Sequence, residues 1–363
     1  MKNNAFERRL SRQINVGGVR IGGGAPISVQ SMTNRDPLDY EATKAQVDAL
    51  ASAGCDVVRL AIPTLPAVSV IERLKKDGVR IPLVADIHFD YRIALAAVKA
   101  GVDKIRINPG NIGDKERVRA VAEACRAAGI PIRIGVNSGS LEKHILEKHG
   151  APTPEALAES ALYHADLLEG CGFGDIAISV KASNVPDMIL ANRILAKETS
   201  YPLHLGVTEA GGVGMGSTKS AVGIGALLAE GIGDTIRVSL TADPTLEIRE
   251  GRAILSALGL LSEKQLDIVS CPTCGRTKRD LIPLLSAFES EVDRLSLRSL
   301  PIKVAFMGCI VNGPGEAREA DIGVAGGNGE GVIFRHGVAG ERVSADKIVP
   351  TLIAEILKMK DEY

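Results

Sequence analysis

Short apolar runs alternate with stretches of helical periodicity along the first two thirds of the chain. The helical stretches have recognisable ends. Pro154 to Leu168 predicts a helix with Thr153 as N-cap and Gly170 near its end, and Ser217 to Leu228 predicts another, closed by Gly231. The apolar runs predict eight strands, at Ile27–Gln30, Val57–Ala61, Pro82–Ala85, Lys104–Ile107, Ile132–Val136, Ile176–Val180, Leu203–Val207 and Thr235–Val238.

Eight strands alternating with helices predict an α/β fold, a (β/α)8 TIM barrel, because parallel strands require helical crossovers. A doubly wound open sheet is the alternative. It usually has fewer strands, and no dinucleotide-binding fingerprint follows the first strand. A short hairpin from Ile14 to Ile21, with its turn at Gly17 and Gly18, is expected before the barrel.

The residues after Ser262 have a different order of elements, which is typical of an α+β domain. We therefore predict two domains, a barrel over residues 1–262 and a smaller α+β domain over residues 263–363. The predicted elements of the second are a helix (Lys278–Leu297), a strand (Ile302–Met307), a glycine-rich hairpin region (Asp321–Val343) and a final helix (Ser344–Lys360).

The composition excludes several classes of function. The 363 residues include 43 Lys and Arg against 44 Asp and Glu, which argues against a general nucleic-acid binder. Aromatic residues make up only 3% of the chain. No run approaches about 18 apolar residues, and no apolar segment follows the polar Met1 to Arg12, so neither a membrane span nor a secretory signal is visible. We expect a cytoplasmic protein that binds neither membranes nor nucleic acid.

Five of the predicted barrel strands carry a basic residue near the carboxyl end. Side chains alternate faces along a strand, so Arg133 shares a face with Asn137, and Arg237 shares one with Ser239. The outer face of a barrel strand packs on helices, which directs these polar groups into the barrel mouth. The five basic residues are Arg59, Arg106, Arg133, Lys181 and Arg237.

Asp86 and Glu209 lie at equivalent places, so about three positive charges remain in the predicted mouth. A closed network of ion pairs with the helices is one explanation. The pattern favours the other, a small and multiply charged anion such as a phosphate or diphosphate ester, because the planar Arg side chain binds phosphate oxygens bidentately. His88 shares the face of Asp86, which allows either a position in the mouth or a structural role.

A glycine-rich segment, Gly211 to Ser217, leads directly into a predicted helix. Helix N-termini bind phosphate, and barrel enzymes often hold it near strands seven and eight. The segment is not a nucleotide P-loop, because Thr218 stands before Lys219 where that motif requires Gly. A simple helix entry explains the segment equally well.

Three of the six cysteines lie close to one another in the predicted second domain. Cys271 and Cys274 form a C-x-x-C pair after one apolar run, and Cys309 follows another. A zinc ribbon requires a second pair or histidines, and a thioredoxin-like dithiol leaves Cys309 unexplained. An iron–sulfur cluster with three thiolates and one weaker ligand uses all three, although the spacing leaves the alternatives open. The other cysteines (Cys55, Cys125 and Cys171) are expected to be plain buried thiols.

Long motifs carry a resemblance to a known family, the bacterial 4-hydroxy-3-methylbut-2-enyl diphosphate synthases of the non-mevalonate isoprenoid pathway. Their order and spacing extend over most of the chain, and the insert domain of the plant type is missing, so the chain resembles the two-domain form. The motifs are VQSMTNRDPLD (29–39), ADIHFDYR (85–92), RINPGNIG (106–113), GVNSGSLE (135–142), GVTEAGG (206–212), GIGDTIRVSLTADP (231–244), SCPTCGR (270–276) and CIVNGPGEA (309–317).

The resemblance implies a 4Fe-4S cluster held by Cys271, Cys274, Cys309 and Glu316, in a domain similar to those of sulfite and nitrite reductases. It implies 2-C-methyl-erythritol 2,4-cyclodiphosphate as the substrate, opened reductively with loss of water, and flavodoxin or ferredoxin as the electron donor. It also implies a homodimer in which the cluster domain of one subunit closes the barrel of the other. Glu209 is the implied proton-transfer residue, and Asp86 is implied to hold substrate hydroxyls or to assist the proton transfer. The residues implied to bind the diphosphate are Arg59, Arg106, Arg133, Asn137, Lys181, Arg237 and Ser239.

Two other functions fit parts of the pattern. One is a non-redox barrel transferase or synthase that acts on a phosphorylated or pterin-type substrate and has a zinc-stabilised tail. The other is a non-enzymatic metal or iron–sulfur carrier, which has no need of a cation-lined mouth.

Overall fold

The computed structural model describes residues 6–261, 265–274, 277, 280–308, 318–326 and 329–360. The chain divides into two compact units, Met1–Leu261 and Ser262–Tyr363. Within the described residues, no helix has the length and apolar character needed to cross a membrane.

The first unit begins with a hairpin of β1 (Ile14–Val16) and β2 (Val19–Ile21). Gly17 and Gly18 form its turn with positive φ angles of 55° and 97°, as two-residue hairpin turns require. The strands that follow are β3 (Ser28–Met32), β4 (Val57–Ala61), β5 (Leu83–Asp86), β6 (Lys104–Ile107), β7 (Ile132–Asn137), β8 (Ile176–Lys181), β9 (His204–Leu205) and β10 (Thr235–Ile236).

Helices follow or separate these strands, and most begin at a side-chain N-cap of the kind the sequence signals. Thr153 Oγ1 accepts from the Ala156 amide at the start of the predicted 154–168 helix, for example. The helices are α1 (Tyr40–Ser52), α2 (Ser69–Lys76), α3 (Tyr91–Lys99), α4 (Lys115–Ala128), α5 (Lys143–His149), α6 (Pro154–Glu169), α7 (Val185–Glu198), α8 (Met215–Ala229) and α9 (Pro244–Ala257).

The eight strands form a closed parallel barrel. Neighbouring strands pair in the order β3 to β8, and β10 pairs with both β3 and β9. A parallel bridge between Ile178 and Leu203 joins β8 to the start of β9 and closes the ring. This confirms the predicted (β/α)8 barrel. The predicted strands at 203–207 and 235–238 are shorter than expected, at two residues each.

The two faces of each strand have different environments. On β6, Ile105 and Ile107 lie in the apolar layer between strands and helices, whereas Arg106 points into the barrel. Towards the amino end of the strands an apolar cluster fills part of the interior, next to the buried side chains of Lys104 and His204. There the hairpin residues Ile14, Val16 and Ile21 pack against inward side chains of the barrel strands, namely Val57, Val84 and Ala177. The hairpin therefore seals the end of the barrel opposite the polar mouth.

The described residues of the second unit form a five-stranded mixed sheet and include two long helices, which confirms the α+β prediction. Its strand order follows the chain; the first three strands are parallel and the last two pairings are antiparallel. Phe288 packs on Phe306 in its core, with ring centroids 4.9 Å apart. The elements are β11 (Asp267–Ser270), α10 (Leu281–Arg294), β12 (Lys303–Met307), β13 (Ile322–Ala325), β14 (Glu330–Arg335), β15 (Val338–Ser344) and α11 (Ile348–Lys360).

Candidate active site

A polar cavity opens at the carboxyl end of the barrel strands. Its volume is about 120 Å³. Active sites of TIM barrels lie at this end. All seven residues expected to bind a diphosphate line the cavity, together with Asp86. The lining residues are Arg59, Asp86, His88, Arg106, Arg133, Gly135, Asn137, Ser179, Lys181, Thr208, Arg237 and Ser239.

Two glycines make room for the long cations of the cavity. A Cβ atom on Gly135 would lie 2.2 Å from Arg106 Nε, and one on Gly206 would lie 2.7 Å from Lys181 Nζ. Neither glycine has a positive φ angle. Gly135 leaves space for Arg106, whereas Gly206 leaves space both for Lys181 and for the Arg237 carbonyl oxygen, which would lie 2.4 Å from an added Cβ.

Asp86 holds two arginines of the cavity. Arg106 Nη1 donates to Asp86 Oδ1 at 3.0 Å, and Arg59 Nε lies 3.5 Å from Asp86 Oδ2. Burial alone would raise the pKa of this carboxyl, but the charges of Arg59 and Arg106 lower the pKa of Asp86 to about 2. Asp86 is therefore ionised near neutral pH and acts as a hydrogen-bond acceptor rather than as a proton donor.

His88 also belongs to the site. Its Nε2 lies 3.3 Å from Arg106 Nη1, on the side of the guanidinium that meets Asp86. Because an arginine N–H can only donate, His88 Nε2 accepts, and in the neutral ring the proton is on Nδ1. The sequence left a structural role open for His88, and the structure resolves its position in favour of the mouth.

Arg237 has a partner that the sequence did not indicate. Its Nε and Nη2 atoms each lie 3.3 Å from a carboxylate oxygen of Glu247 on α9. Glu247 is buried and also accepts from Ser31 Oγ at 2.7 Å and from the Leu240 amide at 3.0 Å. Helix α9 therefore supplies a counter-charge to Arg237. This is the kind of ion pair with a helix that the first explanation expected, but it involves only one of the five cations.

The network of ion pairs does not extend to Arg133 and Lys181. Neither has a carboxylate oxygen within 4.0 Å among the described residues, and both are buried. Burial lowers the pKa of each well below its ordinary value, and the charges of neighbouring arginines lower it further. Arg133 Nη1 reaches across the barrel to Gln30 Oε1 at 3.5 Å, while its Nε has no hydrogen-bond partner in the described part of the chain. Arg133 and Lys181 therefore have no anionic partner among the described residues.

The cavity carries an excess of positive charge. Five cations face two carboxylates, Asp86 and Glu247, so about three positive charges remain if every group is ionised. The total matches the expectation from sequence, but the second acid is Glu247 rather than Glu209. Buried cations without partners are costly, so the arrangement favours binding of a multiply charged anion.

Glu209 lies beside the cavity and does not line it. The residue is exposed, and its φ angle of 52° puts the backbone in the left-handed region that non-glycine residues seldom adopt. Its neighbour Thr208 does line the cavity. Strained backbone next to a site is a recurrent feature of functional loops. Because Glu209 itself does not line the cavity, its role in proton transfer stays a prediction.

The glycine-rich segment 211–217 does not contribute to the cavity lining. The Gly216 amide donates to Gly212 O, and the Thr218 amide donates to Gly214 O, both at 2.9 Å. Two of the first N–H groups of α8 are therefore already used within the loop. The geometry agrees with the helix-entry explanation of this segment.

In the second unit, Cys271 and Cys274 follow β11 directly. The Cys271 amide donates to Phe306 O on the parallel neighbour β12 at 2.9 Å, and a Cβ on Gly308 would lie 2.5 Å from Thr277 Cγ2. The ends of the two strands, and the segments that follow them, are thus adjacent. Cys271 is half-buried and Cys274 is exposed, so both side chains are accessible. The other two predicted ligands, Cys309 and Glu316, lie outside the described residues.

The isolated cysteines differ from this pair. Cys55 and Cys125 are buried in the barrel core, and burial raises the pKa of each thiol to about 12. Such thiols stay protonated and unreactive. Cys171 is half-buried at the end of α6.

Comparison with known proteins agrees with both units. Residues 11–252 match the family profile described as the GcpE TIM-barrel domain, and residues 267–358 match the GcpE protein C-terminal domain. A protein of Caldanaerobacter subterraneus subsp. tengcongensis named 4-hydroxy-3-methylbut-2-en-1-yl diphosphate synthase (flavodoxin) is 55% identical, over 98% of this chain and 99% of its own. A protein of the same name from Ruminiclostridium cellulolyticum is 56% identical over the same shares.

Among solved structures, a Plasmodium falciparum HPPK-DHPS with pterin and p-hydroxybenzoate is similar with a TM-score of 0.51. It is 12% identical and covers 78% of this chain and 52% of its own. At that identity the likeness shows the barrel fold alone.

Proposed function

This chain belongs to the GcpE family, and from that membership we propose that its barrel cavity binds 2-C-methyl-D-erythritol 2,4-cyclodiphosphate and that its second unit carries a 4Fe-4S cluster. The enzyme is an oxidoreductase, a 4-hydroxy-3-methylbut-2-enyl diphosphate synthase of isoprenoid biosynthesis. It opens the cyclic diphosphate by reductive C–O cleavage and eliminates a hydroxyl as water, consuming two electrons with their protons. The observation that carries the proposal is the excess of buried cations around one cavity.

The cations of the cavity are suited to the bond that breaks. When the ring C–O bond is cleaved, the freed oxygen stays on phosphorus as an additional negative charge. Arg133 and Lys181 lack a carboxylate partner among the described residues, so they can meet that charge without first leaving an ion pair. Fixed positive groups at the place where negative charge develops stabilise the transition state. The proposed diphosphate ligands are Arg59, Arg106, Arg133, Asn137, Lys181, Arg237 and Ser239.

Proton handling divides between two acids in this proposal. Asp86 remains ionised because its pKa is about 2, so it accepts hydrogen bonds from substrate hydroxyls and holds Arg59 and Arg106 in place. Glu209 is exposed beside the mouth and supplies the proton that leaves with the hydroxyl as water. A group that is both accessible and next to the cavity can exchange protons with solvent between turnovers.

Proteins of this family are known for an iron–sulfur cluster, and the second unit fits one. Two accessible thiols, Cys271 and Cys274, stand at the end of a strand whose parallel neighbour leads directly towards Cys309. We propose these three cysteines and Glu316 as the ligands, because thiolates bind such clusters and a carboxylate holds iron less tightly. When bound, the cluster supplies electrons singly to the substrate.

The partners follow from the same membership. The relatives' names specify flavodoxin, so a flavodoxin or ferredoxin is the proposed electron donor. A homodimer with shared sites and a cytoplasmic location are also proposed. The non-redox transferase with a zinc tail is not favoured, because full-length relatives at 50–56% identity share the synthase name.

The proposal is tested by anaerobic purification, measurement of iron, zinc and acid-labile sulfide, and a turnover assay. The assay supplies the cyclic diphosphate and reduced flavodoxin, and the product is identified by mass. We expect about four irons per chain and formation of the open diphosphate only when reductant is present. Stoichiometric zinc with no iron, or turnover in air without a donor, would contradict the proposal.

A further inference from the structure

A buried histidine on helix α6 joins the two loops that follow β6 and β7. His164 is fully buried, and its Nε2 lies 2.5 Å from Glu142 Oε1 in the loop after β7. On the other side of the ring, His164 Nδ1 accepts from the Gly110 amide at 3.3 Å, in the loop after β6. One imidazole therefore contacts both loops.

The hydrogen bonds fix the state of this histidine. Because Nδ1 accepts an N–H, it has no proton of its own, and the ring proton must be on Nε2, where it is donated to Glu142. Ser160 Oγ, one turn earlier on α6, donates to the second oxygen of Glu142 at 2.7 Å. Burial alone would raise the pKa of Glu142, but the hydrogen bonds from His164 and Ser160 lower the pKa to about 2. The Glu142 carboxylate is thus held by two donors from one helix.

The contact with the first loop is close enough to require glycine. A Cβ on Gly110 would lie 2.6 Å from His164 Cε1, although Gly110 does not have a positive φ angle. The same Gly110 amide lies 3.2 Å from Asn108 Oδ1. Asn108 Oδ1 is therefore turned towards Gly110, and its buried Nδ2 has no partner within the described residues.

Each of the two loops begins at an asparagine on the inner side of the barrel. Asn137 ends β7 and lines the cavity. Asn108 follows β6, two residues after Arg106 and on the same face of the strand. Helix α6 packs against β7 and β8, so it is part of the rigid outer layer of the barrel. The position of both asparagines thus depends on loops that a single helix anchors.

We infer that His164 and Glu142 are positioning residues of the active site, which hold the loops 108–111 and 138–142 in register so that Asn108 and Asn137 meet oxygen atoms of the substrate. This inference rests on the proposed function, because it concerns the substrate of the same cavity. Neither residue touches the cavity itself, so both act through the loops. Asn108 does not itself line the cavity, and its buried Nδ2, which has no partner among the described residues, is the donor that we expect the substrate to reach.

The experiment compares three replacements of His164. His164→Ala removes both contacts, His164→Asn keeps an acceptor near Gly110, and His164→Gln keeps a donor near Glu142. For His164→Ala we expect kcat/KM with the cyclic diphosphate to fall about 10- to 100-fold, because small displacements of binding groups have effects of that size. Each of the other two should recover part of the loss. If the alanine variant does not fold, kcat/KM of His164→Asn and His164→Gln still tests whether His164 positions the two loops.

A matched control is the contact between the last residue of α5 and the first half of α6. His149 Nε2 lies 2.8 Å from Glu159 Oε2 and joins two helices without contacting either loop. His149→Ala should leave kcat/KM unchanged. A purely structural role for His164 predicts thermal destabilisation of His164→Ala with unaltered kinetics of the folded enzyme.

A double-mutant cycle with Asn137→Ala separates the two roles further. If His164 acts through the loop of Asn137, the loss caused by His164→Ala is smaller when Asn137 is already replaced. The inference would be overturned if the losses in kcat/KM caused by His164→Ala and Asn137→Ala simply multiplied in the double variant. It would also be overturned if kcat/KM of all three His164 variants stayed within twofold of the wild type. A wild-type enzyme that fails to reduce the substrate would instead refute the proposed function, so the two failures are distinguishable.

Discussion

The guanidinium of Arg106 lies directly over the backbone of Gly135. A Cβ on Gly135 would lie 2.2 Å from Arg106 Nε, and Arg106 Nη2 donates to the Gly135 carbonyl oxygen at 3.1 Å. The same guanidinium contacts Asp86 and His88 through Nη1. One backbone position on β7 therefore determines where a cation from β6 enters the cavity.

Gly135→Ala should displace Arg106 and weaken its contact with Asp86. We expect the affinity for the cyclic diphosphate to fall about 10- to 100-fold while the barrel stays folded. Calorimetric titration of substrate measures the affinity, and circular dichroism checks the fold. Gly174→Ala, before the neighbouring strand β8, is the control, because a Cβ there has no heavy atom within 4 Å. Equal affinities in the two variants would show that Arg106 adapts.

The inward residues of the regular strands could be predicted because side chains alternate strictly along them. Arg106, Arg133 and Lys181 lie on strands of four to six residues, and each points into the mouth as expected. Apolar residues of opposite parity pack on the helices. The alternation of side chains along the strands therefore predicts most of the residues that line the site.

The same rule fails where the backbone leaves the regular strand. β9 ends at Leu205, and the next residue, Gly206, lies so close to the Arg237 carbonyl oxygen that an added Cβ would be 2.4 Å from it. The alternation of side chains no longer holds at Glu209, because its backbone adopts a left-handed conformation. Glu247 escaped prediction for another reason: it lies on an amphipathic helix among other charged residues, and nothing in the local pattern shows that its carboxylate points inward.

Substrate binding should be accompanied by proton uptake at Lys181. Burial, and then the charges of Arg237, Arg59 and Arg133, lower the pKa of Lys181 well below its ordinary value, with a smaller opposing effect of Glu247. A bound diphosphate raises this pKa, so the free enzyme binds the proton less tightly than the complex. Affinity should therefore increase as the pH falls through the range between the two pKa values.

Calorimetry in buffers of different ionisation enthalpy measures this uptake. We expect Lys181→Met to reduce the number of protons taken up and to flatten the pH dependence. Lys75→Met is the control, because Lys75 already has Asp103 as a partner at 2.5 Å. An unchanged proton count in Lys181→Met would show that another group takes up the proton.

Asp86→Asn should destabilise the barrel at neutral pH and abolish part of its acid sensitivity. The pKa of Asp86 is lowered from 3.8 to about 2 in the folded chain, which corresponds to about 2 kcal/mol of stability. For a carboxyl with a lowered pKa, this contribution is complete above the unfolded pKa and is lost as the pH falls from about 4 to about 2. The thermal midpoint of the barrel, measured from pH 7 to pH 2.5, should converge for the two proteins at low pH. A constant difference across that range would contradict the assignment.

Cys271→Ser should remove the iron and leave the barrel intact. A serine hydroxyl stays protonated at neutral pH and binds iron much more weakly than a thiolate does, and the barrel is a separate compact unit. Iron and acid-labile sulfide should therefore disappear, while the barrel's affinity for the cyclic diphosphate stays close to that of the cluster-free wild-type protein. Cys171→Ser provides the matched control in the barrel and should retain the wild-type iron content. Full iron content in Cys271→Ser would exclude this cysteine as a ligand.

Glu209→Gln tests whether the exposed acid beside the mouth transfers a proton. The amide keeps the shape of the side chain and its left-handed backbone position, but it cannot donate a carboxylic proton. Because general acids typically contribute about 10²- to 10⁴-fold, we expect kcat to fall by that factor, with KM little changed since Glu209 does not line the cavity. Glu209→Asp keeps the carboxyl and should recover part of the rate. Steady-state kinetics under anaerobic conditions with saturating reductant measure both constants. If Glu209→Gln raised KM and left kcat unchanged, the residue would bind substrate rather than deliver a proton, and His88, which lines the cavity, would become the next group to test.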